Sequence, residues 1–249
     1  MRLDDIEKYI VNLFDCKNNE LFSKESGITT RGTEEINSIG YCTNLTLETI
    51  EEARKNDVNL ILTHHDTWDI LYGLKEACRE KLLEYKMSHY FIHLPLDHCD
   101  FGTNASLVKK LKLNLLEKSH KYDGFDCGRI AKFNDEKTFE DLVLQVETLL
   151  DEPVKSWKNR DGKVKKIGIV CGGGSDTIHV KEAVDMGCDV YITGEKNLYT
   201  IQYAKFACIN LIVGSHTFIE LFGIESLANR IKNKFFDMNI IRLKEEHIE

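Results

Sequence analysis

Two stretches, EARKNDVNLILTHH (52–65) and EAVDMGCDVYITGE (182–195), decide how this chain is read. Laid over one another without a gap, they superpose a Glu-Ala helix end, an apolar strand and a threonine at the strand terminus. Upstream, IGYCTN (39–44) and IGIVCG (167–172) open the two stretches in the same way. The reading is two related strand–loop–helix–strand units; the competing one is that α/β sequences share such composition by chance. If the units are equivalent, the His64-His65 end of one corresponds to the Gly194-Glu195 end of the other.

The surrounding pattern fits either reading. Apolar runs at 59–62, 90–96, 167–171, 189–192 and 209–213 have the length of strands buried on both faces. Helical spacing separates several of them, at 70–86, 104–117, 137–150, 177–186 and 216–234, and also marks 3–14 and 46–56. Strands that alternate with helices predict an α/β fold: two closely packed halves, duplicated if the repeat is real, with mostly parallel sheets flanked by helices. We place the halves at 1–130 and 131–249. Residues 16–38 read as a long polar loop with room for a short strand, and Arg160-Asp161-Gly162-Lys163 as a hairpin turn.

Totals narrow the function. With 249 residues, 42% apolar and 30% charged, the chain has the composition of an ordinary globular protein. Its 33 Lys and Arg against 41 Asp and Glu give a net charge of −8, which argues against general attraction to nucleic acid or anionic lipid. KKLK (109–112) and VKSWKNRDGKVKK (154–166) leave a local basic rim open. The acidic start, MRLDDIEKYIVNLF, is unlike a signal peptide, and no run reaches the ~18 apolar residues of a membrane span. A cytoplasmic location is the expectation. Eight cysteines, none in a C-x-x-C pair, read as reduced, mostly buried thiols.

The chemistry gathers where parallel strands end, since ligands of such sheets collect beyond the carboxyl ends of the strands. One run stops on His64 and His65. Another, YFIHLPLDH (90–98), stops on Asp97, with His93 an even number of positions before it and so on the same strand face. A third, INLIVGSHTFIE (209–220), stops at His216, one helical turn before Glu220. Imidazole and carboxylate together suit Zn, Fe or Mn, and five such donors exceed the need of one tetrahedral ion. Two divalent ions sharing a carboxylate and a water fit the count better. For an isolated His pair the plainer reading is packing or capping; three strand ends carrying donors shift the balance toward metal.

VCGGGSDTIHV (170–180) admits two readings, a tight strand-to-helix turn or a cradle for an anionic group at a helix N-terminus. Glu195 is read as a base beside the metals or as one half of a salt bridge. Trp68 is read as core packing or as a wall of the site. Asp66, Asp69, His98, Asp100 and His179 are expected to support ligands or to lie at the surface.

Taken in order, LILTHHD (60–66), HLPLDHCDFGTNASL (93–107), IGIVCGGGSD (167–176), DVYITGE (189–195) and VGSHTFIELFGIESLANRI (213–231) resemble the Nif-three-like dinuclear metal-centre family, also called GTP cyclohydrolase I type 2-like. The resemblance runs from about residue 39 onward. It implies two α/β halves around two divalent metal ions (Zn, Fe or Mn) held at His64, His65, Asp97, His216 and Glu220. It also implies a homo-oligomer, typically a hexamer. Three departures stand out: Asp66 where the family has proline, Gly-Ser-His where it has Gly-His, and no Trp-Asn-Gly-Leu stretch within 16–38.

On this reading the chain is a metal-dependent hydrolase acting on a small-molecule substrate, such as a nucleotide, with Glu195 and His93 as candidate proton-moving residues. The alternative is a non-catalytic metal-bearing scaffold for a protein or nucleic-acid partner. A third reading keeps the fold and discards the metals.

Overall fold

A computed structural model describes residues 1–249, and the chain divides into two compact units, residues 1–102 with 223–248 and residues 103–222 with 249. A cut at 130/131 would pass through the strand Phe125–Lys137, which the observed division keeps whole, and the last strand, Asn239–Arg242, falls in the first unit.

The first unit contains helices α1 (Leu3–Asn12), α2 (Leu47–Lys55), α3 (Leu74–Glu84) and α4 (Leu94–His98). Its five strands are β1 (Ser26–Thr30), β2 (Ser38–Asn44), β3 (Leu60–His65), β4 (Ser88–Ile92) and β11 (Asn239–Arg242). They form one sheet in the order β1-β4-β3-β2-β11, with β1 antiparallel and every other pairing parallel. Ile50 and Ala53 of α2 and Cys78 and Leu82 of α3 bury against Cys42, Ile61 and Leu243. Because α2 follows β2 directly, its N-terminus needs a cap, and Thr46 and Thr49 supply a reciprocal one.

The second unit contains α5 (Thr103–Lys110), α6 (Phe139–Leu150), α7 (Thr177–Asp185) and α8 (Leu198–Phe206), and the start of α9 (His216–Lys234). Its strands β5 (Asn114–Tyr122), β6 (Phe125–Lys137), β7 (Lys155–Trp157), β8 (Val164–Val170), β9 (Val190–Thr193) and β10 (Asn210–Val213) are ordered β5-β6-β8-β9-β10-β7. The three central strands are parallel. Alternate strand residues serve different cores: Ile167, Ile169, Ile192 and Ile212 pack with α5 and α6, whereas Val170, Tyr191, Leu211 and Val213 pack with α7 and α8. A sheet covered on both faces needs the continuous apolar strands seen in the sequence.

Three expectations change. Residues 114–117, read as helix, open the β5–β6 hairpin instead, whose Asp123-Gly124 corner has both φ angles positive, 48° and 81°. That is the backbone a two-residue hairpin loop requires. Residues 160–163 do not turn a hairpin, because β7 pairs with β10 and not with β8. The apolar run 90–96 is not one strand: β4 ends at Ile92, and Pro95 sits in the first turn of α4, where a missing N–H does no harm. His93 is therefore the residue before a helix, not a strand neighbour of Asp97. The short strand allowed for within 16–38 is β1, whereas β11 lies in a stretch that carried no strand signal.

Candidate metal-ligand groups

In the first unit, β3 carries its two histidines to the carboxyl end of the parallel strands. Both are buried, and their ring centroids are 4.6 Å apart. Their orientation is set through Nδ1: that of His64 donates to the Ile92 carbonyl at 2.8 Å, and that of His65 to Asn44 Oδ1 at 2.8 Å. His93 joins them, with ring nitrogens of all three within 4.8 Å of one another, and its Nδ1 donates to Glu25 Oε2 at 2.7 Å. Since each Nδ1 meets an oxygen acceptor, it carries the proton in the neutral ring, the tautomer that places the lone pair on Nε2.

Asp97 completes this group, its Oδ1 3.5 Å from His64 Nε2. Two acceptors facing each other inside a protein repel unless a proton or a cation lies between them. Trp68 takes both expected roles in part: it is 36% exposed, and its ring lies 5.1 Å from His93 and 6.2 Å from His65. Asp66 turns elsewhere, to Lys75 Nζ at 3.8 Å, on the wall of a cavity of about 290 Å³ that Thr29, Thr30 and Arg79 also line. Burial raises its carboxyl above the usual range.

In the second unit, His216 and Glu220 share one face of the first turn of α9, with Nε2 to Oε2 at 3.1 Å. His216 Nδ1 donates to Glu195 Oε1 at 2.7 Å, so Glu195 orients the imidazole just as Asn44 orients His65. Burial alone would lower the His216 pKa, but Glu220 and Glu195 outweigh it and push it up to about 11. A proton held that firmly between imidazole and carboxylate occupies the place a cation would take.

The glycine loop has a packing reason to be glycine. Gly172 has φ +67°, and a Cβ there would fall 1.9 Å from Glu220 Oε1 and 2.7 Å from His216 Nε2. At Gly174 it would meet Thr193 Oγ1 at 2.4 Å. Only Gly173 of the three faces open space.

The proposed ligands and proton-moving residues thus fall into two groups: His64, His65, Asp97 and His93 in one unit, His216, Glu220 and Glu195 in the other. The sequence reading missed Asn44 and Glu25, which hold His65 and His93. Asn44 lies at the end of β2 and was open to the same strand-end rule; Glu25 carries no signal.

The fold and these donors define an α/β protein with groups of side chains that could hold a metal near the carboxyl ends of parallel strands. The chain belongs to the Duf34/NIF3 (NGG1p interacting factor 3) family, whose pattern matches residues 1–247. A Pyrococcus horikoshii relative named "GTP cyclohydrolase 1 type 2 homolog" is 31% identical over 85% of this chain and 86% of its own length. One of the same name from Archaeoglobus fulgidus is 25% identical over 94% of each. Among solved structures, reduced HcgD from Methanocaldococcus jannaschii matches with a TM-score of 0.82 at 22% identity, covering 98% of both chains. A Bacillus cereus protein related to NIF3 matches at 0.84 and 14%, covering 100% of this chain and 98% of its own. These last two likenesses speak to the fold. No helix is long and apolar enough to cross a membrane.

Proposed function

We propose that the chain is a metal-dependent hydrolase of a nucleotide or another phosphate-containing small molecule, with His64, His65, Asp97, His216 and Glu220 as ligands of two divalent ions. One observation carries it. The proposed histidine ligands each give Nδ1 to an oxygen acceptor, which presets Nε2 for a cation. Ions bound there would supply a water acidic enough to ionise near neutral pH and would polarise the oxygen of the substrate.

The chain's own residues do the rest. His93, with Nδ1 fixed by Glu25, holds Nε2 ready to move a proton at the rim of the first group. Glu195 positions His216 and keeps electron density on its ring. Trp68 shields the histidines from bulk water, which strengthens charge interactions beneath it. The names of the relatives make GTP the first nucleotide to assay. Eight free thiols support a reducing, cytoplasmic setting.

Elemental analysis of wild type, His64→Ala and Glu220→Ala, run beside turnover of a nucleotide and phosphoester panel, tests the proposal. The expected result is about two ions per chain, both lost in either variant along with activity. Retention of both ions after each substitution would end it.

The second reading, a metal-bearing scaffold, has support of its own. Ile70, Leu71 and Tyr72, just after the histidine pair, are 75%, 48% and 96% exposed, the kind of apolar surface that meets a partner or another copy in a homo-oligomer, the hexamer being the first to look for. A metal-loaded protein that turns over nothing on the panel, yet self-associates unless Tyr72 is replaced by Ser, would favour it.

A further inference from the structure

The imidazoles described above all turn Nδ1 to an oxygen, but their partners differ in kind. A backbone carbonyl meets His64, and carboxylates meet His93 and His216. A carbonyl and an ionised carboxylate only accept, so each fixes the tautomer of its ring unaided. His65 instead faces a side-chain amide, that of Asn44, with an acceptor oxygen on one side and a donor NH2 on the other. Half a turn of that amide would present Nδ2–H to the ring. Nδ1 would then have to accept, and the imidazole proton would move to Nε2, the nitrogen a cation needs.

The last strand of the first unit brings up the group that prevents this. Asn44 stands opposite His65 in the β2–β3 pairing, so its backbone is held and only its amide can turn. Beyond β11, the Leu243 N–H donates to the Tyr41 carbonyl at 2.9 Å and extends the alignment with β2, while the Leu243 side chain is fully buried. Glu245 thereby reaches the end of β2. Its Oε2 accepts from the Thr43 backbone N–H at 2.8 Å, and its Oε1 from the Asn44 backbone N–H at 2.9 Å and from Asn44 Nδ2 at 3.1 Å. Burial raises the Glu245 carboxyl above its usual range, and these N–H groups pull it back. Both oxygens already face donors, which leaves a carboxyl proton no place. Since an ionised carboxylate has nothing to donate, the amide gives its NH2 to Glu245 and its oxygen to His65.

We propose that Glu245 is a positioning residue for His65: acting through Asn44, 201 positions away along the chain, it sets which ring nitrogen bears the proton. The tautomer stands on these contacts alone. Its use, in presenting Nε2 to an ion, rests on the metal-dependent reading above.

The test uses the full chain stripped of metal by a chelator, at a pH where imidazole is neutral. Nitrogen NMR of isotope-labelled histidines separates protonated from bare ring nitrogens, and the signal lost in His65→Gln identifies His65. Wild type is expected to carry the proton on Nδ1. Glu245→Gln keeps the shape but offers a donor as well as an acceptor, so the Asn44 amide loses its preference. The Nε2–H form of His65 should appear, and Zn affinity, measured by competition with a chelator, should fall about 10- to 100-fold. Adding Asn44→Asp should restore both, because an acceptor-only side chain at position 44 fixes His65 whatever stands at 245; a residue that merely anchored the chain end would not be rescued there. Far-UV circular dichroism checks folding, and Glu245→Met, which neither donates nor accepts, replaces Glu245→Gln if that variant is unfolded. A tautomer that shifts without change in Zn affinity would support the role of Glu245 and remove His65 from the proposed ligands. Nε2–H already present in wild type, or Nδ1–H retained after substitution of Glu245, would overturn the proposal.

Discussion

Each unit repeats one design to the residue and then fills it differently. In the first, β2 pairs with β3 at Ile39–Leu60 and β3 with β4 at Leu60–Ser88, with β1 antiparallel at the far edge. In the second, β8 pairs with β9 at Ile167–Val190 and β9 with β10 at Val190–Asn210, with β7 antiparallel at the edge. These pairings reproduce the ungapped superposition of 52–65 on 182–195. Backbone register is shared, and the donors at the strand ends are not. One unit offers three imidazoles and a carboxylate, the other two carboxylates and an imidazole.

Position 44 of the first unit and position 172 of the second show why exchange between them fails. Asn44 uses its side chain to hold His65, whereas Gly172 has none because Glu220 fills that space. Gly172→Asn should therefore have the largest effect of any exchange between the units. Asparagine suits φ +67°, but the new Cβ would lie 1.9 Å from Glu220 Oε1, so the carboxylate must leave its place beside His216. We expect loss of bound metal beyond about 100-fold in affinity, more than removal of a supporting partner produces. Unchanged affinity by competition with a chelator would show that Glu220 is not a ligand.

The reverse change is milder. Asn44→Gly leaves the backbone pairing intact but frees the His65 ring, and metal affinity should fall about 10- to 100-fold. Calorimetric titration with Mn or Zn measures it. An effect equal to that of Gly172→Asn would mean that the two positions act alike and that the contrast between units is superficial.

A third difference lies inside the strands. Register places His89 of β4 where the second unit has Leu211 of β10. His89 is fully buried, its Nε2 2.8 Å from Thr63 Oγ1, and burial lowers its pKa to about 3. Folded below its unfolded value of 6.5, this group stabilises the neutral protein, and that contribution is lost as pH falls from 6.5 toward 3. Urea midpoints for wild type should decline across that window, and His89→Leu should flatten the decline while lowering stability at pH 7. A slope identical in both proteins would place the acid sensitivity in other groups.

Legibility in the sequence followed the same line between backbone and contact. Period and length revealed the central strands β3, β4, β8, β9 and β10, and helices such as α2, α6 and α9, because burial on both faces leaves a continuous apolar run. The proposed ligands were visible because strand ends are where a parallel sheet must place them. The edge strand β5 was not: it faces solvent along much of its length, with Leu115 and Leu116 exposed, so no apolar run marks it. Its one local signal is the Asp123-Gly124 corner, two residues with no alternating pattern on the β5 side to support them. Glu25 stayed hidden for another reason. It sits 68 positions from His93, and only tertiary structure brings the pair together.

The smallest predicted effect asks whether the two units are also alike in how their first crossover helix begins. Thr46 caps α2 by accepting from the Thr49 N–H at 3.2 Å, with Thr49 returning a bond, whereas Asp176 caps α7 by accepting from the Ile178 N–H at 3.3 Å with no reciprocal partner. Losing a cap costs about 1 kcal/mol. The Asp176 carboxylate adds a favourable charge at the positive end of a helix, of about 0.3–1 kcal/mol at low salt. Asp176→Ala should thus destabilise by about 0.3–1 kcal/mol more than Thr46→Ala in low-salt buffer, and raising the salt should shrink the Asp176→Ala deficit alone. If the Thr46→Ala deficit shrinks as well, the caps do not differ in the charge term, and the contrast between the two helix starts fails at this point.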